Sequence, residues 1–305
     1  MYKSEEPLHG HAHCTGCKQP LPAFKCKDCN HIGLYCQSCL LSEHQNRPFH
    51  NILEWKDGVF MDSTLHDQGF VWHIGHGSQS CTKPDCSLGG PQTITVVDIN
   101  GVHEVRVQWC NCGEHGYRTH HEQLLENELF PATPQRVRTA FTFRAMKQFH
   151  LLHLQGKMNA WEWCATIVRL TDNVLPGTLT SFYKVFLRAH RQWALLKCLR
   201  RSGFISTKSP RANGIFRVKC PACPQPQVNL PVDWDAHPNR DLLFAQFLGA
   251  DGNFRLCRFK KGSDSQSEPS WMGDAGYFTP RVRTEAFLEA RDKDEPQPQV
   301  SILKN

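Results

Sequence analysis

The sequence predicts an α+β, multi-domain protein, and three observations predict it. Cysteines fall in clusters, with three CxxC pairs and interleaved histidines in the opening fifty residues. A β-branched alternating run with Asn-Gly at its centre follows, and after it come apolar residues at helical spacing. A chain of 305 residues exceeds one core of ordinary size. The expected order is two small metal-stapled modules, then a helical middle region.

Composition narrows the classes. With 40% hydrophobic and 21% charged residues the chain lies in the globular range. A net charge of +6 suits an anionic partner without demanding one. The start "MYKSEEPLHGHAHC" has no apolar run for secretion, so a reducing compartment is expected for the fifteen cysteines. No run of about 18 apolar residues occurs, which argues against a membrane-spanning helix. In that setting paired cysteines with histidines point to Zn2+ rather than disulfides.

The first module is expected at residues 9–55. Cys14/Cys17, Cys26/Cys29 and Cys36/Cys39 are followed by His44 and His50, eight candidate ligands for two tetrahedral ions. The spacing suggests a cross-brace, with Cys14, Cys17, Cys36 and Cys39 around one ion and Cys26, Cys29, His44 and His50 around the other. This resembles the B-box pattern. His9, His11, His13 and His31 are further candidates, and Leu21, Phe24, Ile32, Leu34 and Tyr35 are expected to form a small apolar core.

The second module is expected at 70–117. "CTKPDC" supplies Cys81 and Cys86, and "WCNC" supplies Cys110 and Cys112. Between them "QTITVVDINGVHEVRVQWC" predicts a hairpin turning at Asn100-Gly101. The hairpin would return Cys110 and Cys112 to the Cys81/Cys86 loop and create a third Zn2+ site, with His115 or His103 as alternative ligands.

The helical region is expected at 131–206. Asn159 with Glu162 reads as a capping box, and a helix from about Ser181 to Ser202 carries Phe182, Val185, Phe186, Ala189, Trp193 and Leu196 on one side. This helix has no acid. Lys184, Arg188 and Arg191 fall opposite its apolar stripe, as a phosphate-contacting face or a solvated one would. Farther on, "CPACPQPQVNLPVDW" contains Cys220 and Cys223, a lone pair with only half a metal site, and "FLGADGNFRL" places Asp251 on a candidate strand.

The motifs "FPATPQRVRTAFTF", "LQGKMNAWEWCATIVRLTDN", "CPACPQPQVNLPVDW" and "FLGADGNFRL", in this order after two cysteine clusters, resemble the N-terminal half of the Kyakuja-Dileera-Zisupton (KDZ) transposases with their CxC2-like cysteine cluster domain. The resemblance spans roughly residues 9 to 280. It implies metal-binding elements accompanying a DNA transposase, DNA as partner with transposon ends suspected, and a nuclear location. It also implies that 214–280 is the incomplete start of an RNase H-like core, in which Asp251 would be a Mg2+ ligand. The later acids of such a core have no counterpart before Asn305, and 281–305 reads as a polar tail. The expected product is a transposase-derived, DNA-binding Zn2+ protein without catalysis of its own. The rivals are a B-box-like protein-interaction module and a non-functional remnant.

Overall fold

The computed structural model describes residues 13–30, 33–82, 90–112, 119–133, 136–201, 222–245 and 286. It divides at Trp193 into two compact units. Mixed α and β structure fills the first. Strands β1 (Phe24–Cys26), β2 (Ile52–Lys56) and β3 (Val59–Ser63) form an antiparallel sheet in that order, and helix α1 (Gln37–Glu43) lies between β1 and β2 in sequence. A second sheet has five strands in the order β4-β6-β5-β8-β7: β4 (Val71–His73), β5 (Gln92–Asp98), β6 (Gly101–Gln108), β7 (Leu129–Pro131) and β8 (Thr139–Thr142). It is mixed, with β4 parallel to β6 and β8 parallel to β5.

The alternation of a strand's side chains gives this sheet two buried faces. On one, Ile94, Val96, Val105, Val107, Leu129 and Ala140 pack with Cys14, Phe24, Tyr35, Leu40 and Ile52 of the first module. On the other, Val97, Phe130 and Phe141 pack with helices α3 (Phe143–Gly156), α4 (Ala160–Thr171) and α5 (Tyr183–Arg201). The first module therefore does not rest on a core of its own: its buried residues are continuous with those of the larger sheet. Leu34 also is buried, whereas Leu21, expected inside, sits in a loop at φ +60° with 89% of its surface exposed.

The β5–β6 hairpin forms with its turn one residue early. Asp98 pairs with Gly101, so the loop is Ile99-Asn100 and the positive φ, +147°, falls on Gly101. Gly101 is also pressed against α4: a Cβ there would come within 3.0 Å of Thr171 Oγ1, which accepts a hydrogen bond from Val102 N at 2.7 Å. Both demands select glycine.

The run of helices expected from Pro131 starts only at Phe143, because Leu129–Pro131 and Thr139–Thr142 are strands. Thr142 then caps α3 through Ala145 N, and Asn159 with Glu162 closes a reciprocal capping box on α4. On α5, Phe186, Ala189 and Trp193 are buried, with Phe182 just before it; Leu196, three residues past the last of them, is exposed. In the second unit, residues 222–245 form a 3-10 turn at Trp234–Ala236 and the single-turn helix α6 (Arg240–Leu243), with no strand among the described residues. The RNase H-like start expected at 214–280 is described only there; Cys220 and Asp251 lie outside the described residues, as does the 281–305 tail apart from Ala286. No described helix is long and apolar enough to cross a membrane.

Candidate metal centres

Eight ligand candidates of the first module gather into two groups, and the groups interleave along the chain. Cys14, Cys17, Cys36 and Cys39 form one, and Cys26, Cys29, His44 and His50 the other, each with its ligand atoms within 4.8 Å of one another. Helix α1 joins them. Cys36 stands at its N-cap with Cys39 in its first turn, and His44 at its C-cap reaches the second group.

An ion bound tetrahedrally at about 2.3 Å from sulfur and about 2.1 Å from imidazole nitrogen sets neighbouring sulfurs ~3.8 Å apart and a sulfur and nitrogen ~3.6 Å apart. Cys36 Sγ lies 3.7 Å from both Cys14 Sγ and Cys17 Sγ. In the second group Cys26 Sγ and Cys29 Sγ are each 3.4 Å from His50 Nδ1, and Cys29 Sγ is 3.7 Å from His44 Nε2. These are the edges of ligand tetrahedra, so the donor sets fit a four-coordinate ion. His44 is fully buried, and its Nδ1 donates to Leu40 O at 2.8 Å, which fixes the tautomer and leaves Nε2 for a metal. Arg47 Nη1 donates to Cys29 Sγ at 3.5 Å, and Cys36 N to Cys14 Sγ at 3.3 Å, favouring thiolates.

Metal-free, the thiols differ. Burial pushes Cys26 up to about 12. Hydrogen bonds with Cys36 and Cys17 push Cys39 up to about 12, while the Ser38 hydroxyl draws Cys36 down to about 6. Ion uptake must therefore expel protons from Cys26 and Cys39, and affinity rises with pH.

A third group comprises His76, Cys81, Cys110 and Cys112. His76 Nε2 is 3.0 Å from Cys110 Sγ and 3.2 Å from Cys112 Sγ, more compressed than the other two groups. Cys81, Cys110 and Cys112 are residues the spacing singles out. His76 is not. The parallel pairing of β4 with β6 sets His73 opposite Gln108, and the 3-10 turn Ile74–His76 continues from there to the WCNC turn. Gly75 permits the approach, because a Cβ there would come within 2.3 Å of Cys110 Cβ. Cys86 and His115 lie outside the described residues. His103 is elsewhere, donating from Nε2 to Asn100 Oδ1 at 2.9 Å beside the hairpin turn. Of the spare candidates His9, His11 and His31 are outside the described residues, and His13 forms an isolated β-bridge with Pro20.

The hairpin turn ties the first module to the sheet. Asn100 Nδ2 donates to Phe49 O at 2.8 Å and to Asp28 Oδ2 at 3.2 Å, and Asp28 Oδ2 also accepts from Asn51 N at 2.7 Å. Lys184 and Arg191 are exposed and Arg188 half-buried on α5, away from its buried Phe186, Ala189 and Trp193.

No curated protein matches the chain, and neither does any solved structure. One family model does: the CxC2-like cysteine cluster associated with KDZ transposases, over residues 65–175. The matched stretch contains the whole third ligand group, the five-stranded sheet and helices α2 (His120–Glu126), α3 and α4. By that match, residues 65–175 are similar to the CxC2-like cysteine cluster of KDZ transposases, and this is the part of the chain that carries the family resemblance.

Proposed function

We infer that the chain is a transposase-derived nuclear protein that binds Zn2+ at its three Cys/His groups and contacts DNA, transposon ends being the suspected target. The choice of Zn2+ follows from the donors. Four-ligand sets of thiolate and imidazole with tetrahedral edges suit it, whereas hard ions such as Mg2+ take oxygen ligands. The ions are structural in this reading, since four protein ligands leave no open position.

The observation that carries the DNA reading is helix α5, which has no acidic residue and sets Lys184, Arg188 and Arg191 on the side away from its buried stripe. The transposase association of residues 65–175 supports the same partner. Duplex binding should fall steeply with salt, with a log–log slope near −0.9 per phosphate contacted. Lys184→Gln, Arg188→Gln and Arg191→Gln together should flatten that slope by nearly three units if each cation meets one phosphate. No retention on DNA at low salt would sink the reading. In the same reading Asp251 is a Mg2+ ligand of an RNase H-like start, and one acid does not cut DNA.

A second reading, a protein-interaction module, is favoured by β3. This edge strand of the three-stranded sheet exposes Val59 and Met61, each by about half. A partner held there would dissociate on Val59→Lys and be indifferent to salt.

A further inference from the structure

Outside the three cysteine groups, imidazoles meet where α3 packs against α5. His150 and His153 are three residues apart on α3 and so share a face, and His190 comes from α5. The His190 ring lies 6.0 Å from that of His150 and 6.3 Å from that of His153, centroid to centroid. Phe149 holds the arrangement, edge-on to His190 and stacked on His153.

Two nitrogens in this cluster, His150 Nδ1 and His190 Nε2, are buried without a hydrogen-bond partner. A buried polar atom without a partner loses the hydrogen bond it makes in water, so the pair asks for a bound species. The third histidine is oriented for the same task. His153 Nδ1 bonds Met158 O at 3.0 Å, and since a carbonyl only accepts, the proton is on Nδ1 and Nε2 of the neutral ring keeps its lone pair.

We propose that His150, His153 and His190 form a fourth metal site, an all-imidazole one that takes a borderline divalent ion such as Zn2+ or Ni2+. Its chemistry differs from that of the other groups. Three neutral nitrogens leave the ion its full positive charge and a fourth position for water, whereas thiolate-rich sets neutralise the ion and close it off. Two imidazoles on one tetrahedral ion have ring centroids ~5 Å apart. The His190 ring starts wider than that from each of its two partners, and the three do not already form a group with all ligand atoms within 4.8 Å of one another, as each cysteine group does. Binding draws them in by side-chain rotation, which the exposed His153 leaves room for.

The test uses the full chain saturated with Zn2+ at pH 7.5 and dialysed against a chelator that leaves thiolate-bound metal in place. Wild type should retain one Zn2+ equivalent more than His150→Ala, His153→Ala or His190→Phe, with affinity for that equivalent at least ~10-fold lower in each variant. His237→Ala, an exposed histidine elsewhere, should match wild type. His190→Phe keeps a ring against Phe149 and Phe186, and His153→Ala removes an exposed side chain with its contacts to Phe149 and Met158 O, so at least one variant keeps the native circular dichroism and decides the matter. Equal Zn2+ content and affinity in a folded triad variant and in wild type overturns the proposal and leaves water as the partner of the two nitrogens.

Discussion

Gln123 grips Cys110 by both of its backbone atoms: Oε1 accepts from Cys110 N at 3.1 Å, and Nε2 donates to Cys110 O at 2.9 Å. The side chain is fully buried. One turn along α2, Asn127 Nδ2 donates to Ile74 O at 3.0 Å, next to the residue pair that leads to His76. A short capped helix thus clamps both stretches of chain that feed the third ligand group. Gln123→Ala should lower metal affinity at that group by ~10–100-fold, the usual consequence of removing an outer support, and leave the first two groups unchanged. Competition with a chromophoric chelator reads this directly, and undiminished affinity would show that Gln123 only fills space.

Helix α1 makes the first two groups interdependent, because it offers Cys36 and Cys39 to one and His44 to the other within seven residues and its caps. Cys29→Ser should therefore remove the second ion and also weaken the first, as the fixed helix loses its C-terminal anchor. Native mass spectrometry should count one ion fewer at saturation, and a second fewer at a chelator strength that wild type survives. An unshaken first ion would mean that Cys14, Cys17, Cys36 and Cys39 hold the helix unaided.

What could be read from the chain follows the distance over which each signal acts. The two interleaved Cys/His groups were legible because paired cysteines on tight turns declare themselves within four residues. His76 was not, since "WHIGHG" carries no metal spacing and reaches Cys110 only through the parallel β4–β6 pairing, which requires a crossover that no local pattern announces. The same long-range pairing hid strand β8: "TAFT" is four residues long, buried on both sides and joined to β5 in parallel, so it reads as the start of the helix that follows it. The capping box at Asn159 was visible because it is a contact between residues three apart.

Asp98 and Arg144 form a lopsided ion pair, and that asymmetry sets the cost of each mutation. The Asp98 side chain has no exposure, while that of Arg144 is 53% exposed. Asp98 accepts from Thr142 Oγ1 and Arg144 Nε at 2.6 Å each and also from Arg144 Nη2. Arg144→Met strands a buried carboxylate that keeps only Thr142, at a cost of about 3–5 kcal/mol. Asp98→Asn leaves a guanidinium that water can reach and should cost about 1–3 kcal/mol. Urea unfolding of the metal-saturated chain should place the two variants in that order, and the reverse order would mean that Asp98 is better solvated than its burial says.

His103 should make the fold sensitive to mild acid. Burial is the main force pushing its imidazole down to about 4, against an ordinary 6.5, with Asp98 and Asp28 opposing. Between those two values the unfolded chain carries a proton here that the folded chain does not, so stability is intact above pH 6.5 and declines as pH falls towards 4. The slope for one proton is about 1.4 kcal/mol per pH unit, and below pH 4 both states are protonated and the effect stops growing. His103→Gln can still donate to Asn100 Oδ1 but cannot titrate. Between pH 7 and pH 5 the variant should lose about 2 kcal/mol less stability than wild type. Both chains need saturating metal, so that proton-driven loss of ions from the thiolate groups is common to the two and cancels in the difference. Parallel stability curves would show that His103 takes up its proton as readily inside the fold as in water.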